Sequence, residues 1–503
     1  MAARNQTNKG RDAGRLIVRG AQATAAGFAG RLAARLLFLF VAGRLFGATA
    51  FGAYVLAVAA VEMAVSVGSL GMKKVIFQLL DRGGDERPLP HILLDAALLV
   101  TLASLVIGAG MAVAAIFFSG SLTGRAAALV ALAPMVAGQS LLDLFLAATR
   151  WKHAIRFEVV ARSLVEPYAL LAGAAIGWVL GFREAGLLAG YWCGTLAALL
   201  YAVAGARRSF GAFQAATWRP RRAMLVPALR LAGANTATDL LNALYTRVDL
   251  WIVGLLLGEG QAGVYGMAKQ IAVPIRQVRQ SFDGLLIPLV ARTLSTRGSK
   301  GSSEALASAT RLILVIQLPI ILALFAAGRP LLGLFGHGFE AAYWPLLALA
   351  AAEAIQAAFS IGDLVFVYLR PQLGLWLTLG SIALGIVAAL LLIPPLGLAG
   401  AALSVLAAYS VRAAMRSIVL RAHFHLDVPH SHNAGPFVAA ALGIAAAAAA
   451  MRLAPLRLRL PLDPLPLIAG LSVYALVLAA WMTLGKQTLS LSGFSTEAEA
   501  PAE

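Results

Sequence analysis

The sequence is poor in cysteine and in acidic residues. It has one cysteine, Cys193, and 23 Asp and Glu against 41 Lys and Arg in 503 residues. A single cysteine excludes a disulfide within the chain and a metal site built from clustered cysteines. The G-x-S-x-G, Walker and HExxH motifs are also missing. We therefore expect no catalytic site, no metal and no bound cofactor.

What the chain has instead is apolar sequence. Hydrophobic residues make up 60% of it, and its mean hydropathy is +0.82, whereas soluble proteins are about 45–50% apolar. The apolar runs are about 20 residues long, the length of a membrane-spanning helix. Strands of a membrane barrel would instead alternate apolar and polar residues. The sequence therefore predicts an all-α polytopic membrane protein.

We predict about fourteen transmembrane helices, which we call spans 1–14. Their ranges are 25–47, 51–80, 91–118, 125–148, 163–181, 185–205, 231–257, 261–290, 310–328, 342–369, 372–394, 397–420, 435–453 and 465–485. With this assignment about 28 Lys and Arg residues lie on one side and about 7 on the other. The richer side is expected to be cytoplasmic, with both termini there, in a bacterial inner membrane.

A glycine-tyrosine pattern, G-x3-G-x4-G-x-Y, occurs twice. Its residues are Gly43, Gly47, Gly52 and Tyr54, then Gly254, Gly258, Gly263 and Tyr265, each 211 positions later. The offset relates span 1 to span 7 and span 2 to span 8. Because six spans separate equivalents, the halves have parallel orientation, a pseudo-twofold repeat. We expect the glycines and tyrosines to serve packing within the lobes, with Gly52 and Gly263 shaping the turns.

The repeat predicts two six-helix lobes around a central cavity, with two extra C-terminal helices. The predicted segments are a cytoplasmic N-terminal segment at 1–24, an N-lobe at 25–205, a cytoplasmic linker at 206–230, a C-lobe at 231–420, the extra helices at 421–485 and a disordered cytoplasmic tail at 486–503.

Polar residues form stripes in spans 1, 2, 7 and 8. The cations among them are expected to line the cavity and bind an anionic head group: Arg31, Arg35, Arg247, Lys269, Arg276 and Arg279. Other polar residues could serve ion coupling by H+ or Na+: Glu62, Asn235, Asp239, Asn242 and Asp283.

A structural role is open for each of these cations. Arg247 could pair with Asp249 or Asp239, and the others could snorkel to the membrane surface. Two D-x6-R pairs near the ends of spans 4 and 10 are expected to be structural partners: Asp143 with Arg150, and Asp363 with Arg370.

Several stretches resemble the polysaccharide transporter and oligosaccharide flippase family of the multidrug/oligosaccharidyl-lipid/polysaccharide (MOP) exporter superfamily. They are RLAARLLFLFVAGRLFGATAFGAYVLA, TRVDLWIVGLLLGEGQAGVYGMAKQI, FGHGFEAAYWPLLALA and LIPPLGLAGAALS. The resemblance implies two lobes around a central cavity. It also implies transport of undecaprenyl-diphosphate-linked oligosaccharide, with arginines holding the diphosphate. The fourteen-span layout also resembles lipid II flippases, in which the extra helix pair forms a groove for the lipid tail.

The leading hypothesis is a flippase for a polyprenyl-diphosphate-linked glycan, a transporter rather than an enzyme. Its partners would be membrane lipids and the polymerase and glycosyltransferases of the same pathway, without nucleic acid. A cation-coupled multidrug or small-solute antiporter is the main alternative, but its cationic drugs would need an acidic cavity. A lipid II flippase and a membrane scaffold or glycan polymerase are further alternatives.

Overall fold

The structure is a computed structural model, and it is helical without strands throughout the residues that it describes. These are 30–83, 87–119, 123–211, 213, 218–220, 222–296, 298–363, 365–366, 370–424, 426, 434–453 and 464–484. The predicted N-terminal segment, the whole predicted tail and parts of the linker lie outside these ranges. Helical contacts divide the chain into two compact units, Met1–Leu244 (unit 1) and Tyr245–Glu503 (unit 2).

Unit 1 contains helices α1 to α9 and the first part of α10. Their bounds are 30–41 for α1, then Gly47–Gly68, Met72–Gly83, Leu89–Ser119, Gly124–Leu132, Met135–Trp151, Arg156–Val160, Glu166–Val179, Ala185–Phe210 and Arg222–Leu257 for α2 to α10. Two π-helical turns, Ala42–Phe46 and Ala161–Val165, follow α1 and α7. A buried apolar core joins α3, α4, α6 and α9.

Unit 2 contains the end of α10 and helices α11 to α17. The bounds of α11 to α17 are Glu259–Thr296, Gly298–Leu334, Tyr343–Phe359, Pro371–Leu396, Leu398–Phe424, Ala434–Leu453 and Pro464–Leu484. The extra helices α16 and α17 pack on each other and on α12. They come close where Gly443 meets Gly470, because a Cβ added to Gly443 would lie 2.9 Å from the Gly470 carbonyl oxygen.

Each of the fourteen predicted spans corresponds to a described helix or helix pair. By length and composition, 11 described helices could cross a membrane, or 12 if the bent pair α5 and α6 is one span. That pair bends by 45° between Leu132 and Met135, at Pro134. The count is below fourteen for two reasons. Spans 1 and 2 count as one helical run, Gly30–Asp81, and α11 is not among the helices apolar enough to cross a membrane. The sequence of α11 is rich in charged residues.

The boundary between the units falls inside α10, whereas the sequence analysis starts the second lobe at 231. The reason is a close contact between Gly71 and the first part of α10. Gly71 meets Asn235 on α10 so closely that an added Cβ would lie 2.5 Å from the Asn235 Cβ. The first part of α10 therefore belongs by its contacts to unit 1.

Two repeat-related glycines end the first span of each half. Gly47 follows the π-turn with φ of +80° and ψ of 176°, and Gly258 separates α10 from α11 with φ of +86°. These backbone conformations are far from helical and disfavour any residue with a Cβ. The turn therefore lies at Gly47 and Gly258, five positions before the glycines that we expected to shape it. Gly52 and Gly263 are instead buried within helices.

Replacing Gly47 or Gly258 by Ala is expected to cost about 1–3 kcal/mol of unfolding free energy, because only backbone strain is added. An added Cβ at either position meets nothing within 4 Å. Gly110→Ala is the matched control, because its added Cβ also meets nothing but its φ is helical. Thermal unfolding in detergent should show loss of stability for the first two variants and none for the control. Equal stability of all three would contradict the turn assignment.

Candidate functional site

A buried ion pair joins the last turns of α10 to α11 in unit 2. The Lys269 ammonium donates to both carboxylate oxygens of Asp249, at 2.5 and 2.6 Å, and the Tyr265 hydroxyl donates to Asp249 Oδ2 at 2.7 Å. All three side chains are buried. Lys269, which we expected to bind substrate, therefore has its counter-ion within the protein. Asp249 accepts from Lys269, whereas the sequence analysis considered Arg247 as its partner.

The repeat shows how this cluster departs from the first half. The positions 211 residues earlier are Phe38, Tyr54 and Val58. There the Tyr54 ring packs against Phe38, with ring centroids 5.7 Å apart, where the second copy has a carboxylate and an ammonium. Tyr54 and Tyr265 are both buried, so both serve packing. The Tyr265 hydroxyl donates to Asp249, and Asp249 stands at the position equivalent to Phe38.

Two further predicted cations of α11 bond to α13 or to the turn that follows it. Arg276 Nη1 donates to Glu353 Oε1 at 3.1 Å, and Glu353 is buried. Arg279 Nη1 donates to Ser360 Oγ at 2.9 Å. Arg247 on α10 is half-buried. The side chain of Asp283 lies outside the described residues.

The expected D-x6-R pairs are wrong in both units. Asp143 on α6 pairs with Arg162 of the second π-turn, and Arg150 pairs with Glu158 at 3.4 Å. Arg162 also donates to Glu166 Oε2 at 2.8 Å. A spacing of seven lets two residues share a helix face, but here the carboxylate is reached from a neighbouring element. Sequence spacing within one helix cannot show this contact.

In unit 2, Asp363 is bound by two arginines of α15. The Arg416 Nε lies 2.7 Å from Asp363 Oδ1, and an Arg412 nitrogen lies 3.5 Å from Oδ2. Arg416 is only 1% exposed. Neither arginine is among the cations that we expected to line the cavity. Their i, i+4 spacing, which puts them on one helix face, was the available signal.

Arg412 also lies over an aromatic stack in unit 2. Its guanidinium carbon lies 4.7 Å from the centroid of the Tyr245 ring, which stacks on Tyr409 at 4.8 Å. The Tyr245 hydroxyl donates to Gln356 Oε1 at 3.1 Å. Beside this stack is a cavity of about 20 Å³, lined in part by Asp249 and Ser404. It has room for about one water molecule.

In unit 1, the predicted cations of α1 are one turn apart. Arg31 and Arg35 are both half-buried, and the Nε of Arg31 is buried without a hydrogen bond among the described residues. Glu62 on α2 is also half-buried. A buried guanidinium nitrogen without a bond is costly unless a ligand or water completes it.

The α10 stripe meets α3 in unit 1. Asp239 is buried and forms ion pairs with Lys73 and Lys74, while Asn235 is half-buried and Asn242 is exposed. The residues of this stripe therefore differ in how deeply they are buried. The described residues contain no group of three His, Cys, Asp or Glu placed to hold a metal ion.

A wide groove lies on the surface of unit 2, between α13, α15 and α16. Its volume is about 830 Å³, within the range of small-molecule sites. Its walls are mainly apolar, with two serines and one arginine. The lining residues are Ile355, Phe359, Ser410, Ala413, Ala414, Ser417, Ile418, Arg421, Ala422 and Phe437. The resemblance to lipid II flippases implies a groove at the extra helix pair, but the sequence does not reveal its lining residues, because they come from separate helices.

Replacing Asp249 by Asn is expected to cost about 3–5 kcal/mol, because it leaves the Lys269 charge buried without its counter-ion. The double variant Asp249→Asn with Lys269→Met should recover most of that stability, since no buried charge remains. The single variant Lys269→Met completes the cycle. Unfolding in detergent measures all four proteins. Additive effects of the two substitutions would show that the pair is not energetically coupled.

Comparisons with known proteins bear on the family and the fold. The sequence model of a family described as "Polysaccharide biosynthesis protein" matches residues 41–344. A search of curated protein sequences found no match. Among solved structures, "Lipid II flippase MurJ, inward closed conformation" superposes with a TM-score of 0.72 at 12% identity, covering 92% of this chain and 100% of that chain.

A second solved structure is an "inward-facing conformation of a multidrug resistance MATE family transporter of the MOP superfamily". Its TM-score is 0.63 at 13% identity, and the match covers 80% of this chain and 98% of that chain. At these identities the likeness concerns the fold. The family match covers more than half of the sequence and confirms the resemblance inferred from its motifs. The chain therefore belongs to the family described as "Polysaccharide biosynthesis protein".

Proposed function

We propose that this protein moves undecaprenyl-diphosphate-linked oligosaccharide across the bacterial inner membrane by alternating access. Such a substrate has a long apolar tail, an anionic diphosphate and a polar glycan. A transporter for it needs an apolar surface open to lipid, cations for the phosphates and room for the sugar. Both termini would be cytoplasmic, and the polymerase and glycosyltransferases of the pathway would be its partners.

The observation that carries the proposal is the groove between α13, α15 and α16. It follows α15 from Ser410 to Arg421, about 16 Å along the helix axis. An apolar groove of this length fits part of a polyprenyl chain. Arg421 in the last turn of α15 is a cation at one end of the groove, beside which an anionic head group would be stabilised. Because Phe437 belongs to α16, the extra helix pair contributes to the groove wall.

Arg31 and Arg35 supply the second part of the argument. They are half-buried on a membrane-spanning helix, and the Arg31 Nε is buried without a hydrogen bond among the described residues. A diphosphate could bind the Arg31 guanidinium, since the planar guanidinium suits bidentate phosphate contacts. Lys269 and Arg276 support the same role less well, because each is bound to a carboxylate of unit 2.

Two alternatives have different support. Lipid II transport is favoured by the likeness to MurJ over 92% of this chain, and lipid II would share the polyprenyl diphosphate but not the glycan. Drug antiport is favoured by the likeness to MATE transporters. The cations on α1 oppose it, because a cationic drug would be repelled. Coupling to H+ or Na+, with Glu62 and Asp239 among the candidates, belongs to the proposal as well.

Arg31→Gln with Arg35→Gln is expected to reduce glycan export by at least about tenfold, because two phosphate contacts are removed. Arg44→Gln is the matched control, since Arg44 is an exposed arginine of the π-turn that follows α1. Cell-surface glycan is measured in a strain that depends on this protein, with membrane levels of each variant checked by blotting. Normal export by the double variant at normal levels would refute the role of these arginines.

Ala414→Trp is expected to slow transport by filling the groove on α15. The effect should be larger for a C55 polyprenyl diphosphate glycan than for a short-chain analogue, because only the long tail needs the groove. Leu391→Trp on α14 is the control, since Leu391 is 68% exposed and lies outside the groove. Flipping in proteoliposomes provides the measurement. Equal slowing for both tail lengths would count against the tail site.

A further inference from the structure

Two adjacent lysines at the start of α3 bind one buried carboxylate of α10. Lys73 Nζ lies 3.2 Å from Asp239 Oδ2, and Lys74 Nζ lies 2.8 Å from Asp239 Oδ1. The Asp239 side chain is 7% exposed, whereas those of Lys73 and Lys74 are 39% and 46% exposed. The anion is thus enclosed, and the two cations can be reached from outside the protein.

Adjacent residues of a helix do not normally face each other. They are about 100° apart around the axis, so their side chains diverge. Lys73 and Lys74 nevertheless converge on the same carboxylate, although two ammonium groups repel each other. An anion between them is what makes this arrangement favourable. The two ammonium groups carry six N–H donors between them, and Lys74 donates one of these to Asp239 Oδ1, so donors are left for a second anionic group.

The backbone before α3 holds the lysines in this place. α2 ends at Gly68, and the chain passes through Leu70 and Gly71, both with positive φ, at +52° and +58°. Leu70 has a Cβ, so this conformation costs it about 1–2 kcal/mol. Gly71 packs directly on Asn235, one turn before Asp239. The break thus sets the first turn of α3, with its lysines, against α10.

We propose that Lys73 and Lys74 form a phosphate-binding position on the substrate path, and that Asp239 occupies it when substrate is absent. This rests on the proposed function. The lysines lie on the side of the membrane predicted to be cytoplasmic, where a polyprenyl diphosphate would arrive. A diphosphate carries more negative charge than a carboxylate, so it can take both ammonium groups from Asp239. The exchange would release α10 from α3.

The exchange has a consequence that a purely structural ion pair would not have. Removing the internal competitor should strengthen substrate binding, while removing the lysines should weaken it. If the cluster served folding alone, both changes would weaken binding or leave it unchanged. The sign of the effect of Asp239→Asn therefore decides between the two roles.

The test measures binding of undecaprenyl diphosphate to the full chain in phosphatidylcholine nanodiscs. Asp239→Asn is expected to bind about three- to tenfold more tightly than the wild type, and Lys73→Gln with Lys74→Gln about tenfold more weakly, or about 1.4 kcal/mol. Undecaprenol, which has no phosphate, should bind all variants equally. Inorganic pyrophosphate tests whether the head group alone is sufficient. If Asp239→Asn also binds pyrophosphate more tightly, the position recognises phosphate itself. If Asp239→Asn binds only the lipid more tightly, the position recognises the lipid-linked substrate.

Matched controls keep the charge changes comparable. Asp81→Asn removes an exposed carboxylate from α3, the helix of the two lysines, and Lys152→Gln with Arg156→Gln removes two exposed cations elsewhere in unit 1. Both should bind as the wild type does, because exposed charges contribute little. Should Asp239→Asn fail to fold, Asp239→Ser takes its place with the same expected tightening, because it also removes the competing carboxylate. The single variants Lys73→Gln and Lys74→Gln are each expected to bind about threefold or more weakly.

Equal or weaker binding by folded Asp239→Asn would overturn the inference, as would unchanged affinity in both single lysine variants. These results would leave the proposed function intact, because the wild type would still bind the lipid. If the wild type binds neither undecaprenyl diphosphate nor pyrophosphate, the proposed substrate is wrong and the inference falls with it.

Discussion

A charged side chain in a membrane-spanning helix has no bulk water around it, so it needs a counter-ion, a polar neighbour or a ligand. Much of the internal architecture of this protein follows from that constraint. In unit 2, Asp249, Glu353 and Asp363 each hold one or two cations. In unit 1, Asp143 and Asp239 do the same.

The two halves share a backbone and differ in chemistry. Gly47 and Gly258 make corresponding turns, with φ of +80° and +86°. Within the same frame, the contact of Phe38 with Tyr54 in the first half is replaced by the bond of Asp249 to Tyr265 and Lys269 in the second. A duplicated fold can thus keep its turn geometry while one copy gains a buried charge cluster. Transport of an asymmetric, amphipathic substrate is consistent with such divergence, because its head and tail need different surfaces.

The extra helices add a surface that the repeat does not provide. α16 and α17 have no counterpart in the first half, and they pack on α12 with Gly443 and Gly470 in close approach. One side of α16 then completes the groove along α15. Small residues thus allow α16 to pack tightly on its neighbours. On another side of α16, the aromatic residue Phe437 lines the groove.

The sequence by itself determined the helical spans, the repeat and the family, because apolar runs and glycine spacing are local properties set by the bilayer and the backbone. It also identified cations inside the spans. Only the tertiary structure decided which carboxylate each cation meets: Asp143 binds Arg162 rather than Arg150, and Asp363 binds Arg416 rather than Arg370. It also showed that Asp239 is held by Lys73 and Lys74. Ion pairing depends on distances of a few ångströms between separate helices, and helical periodicity within one segment carries no information about them.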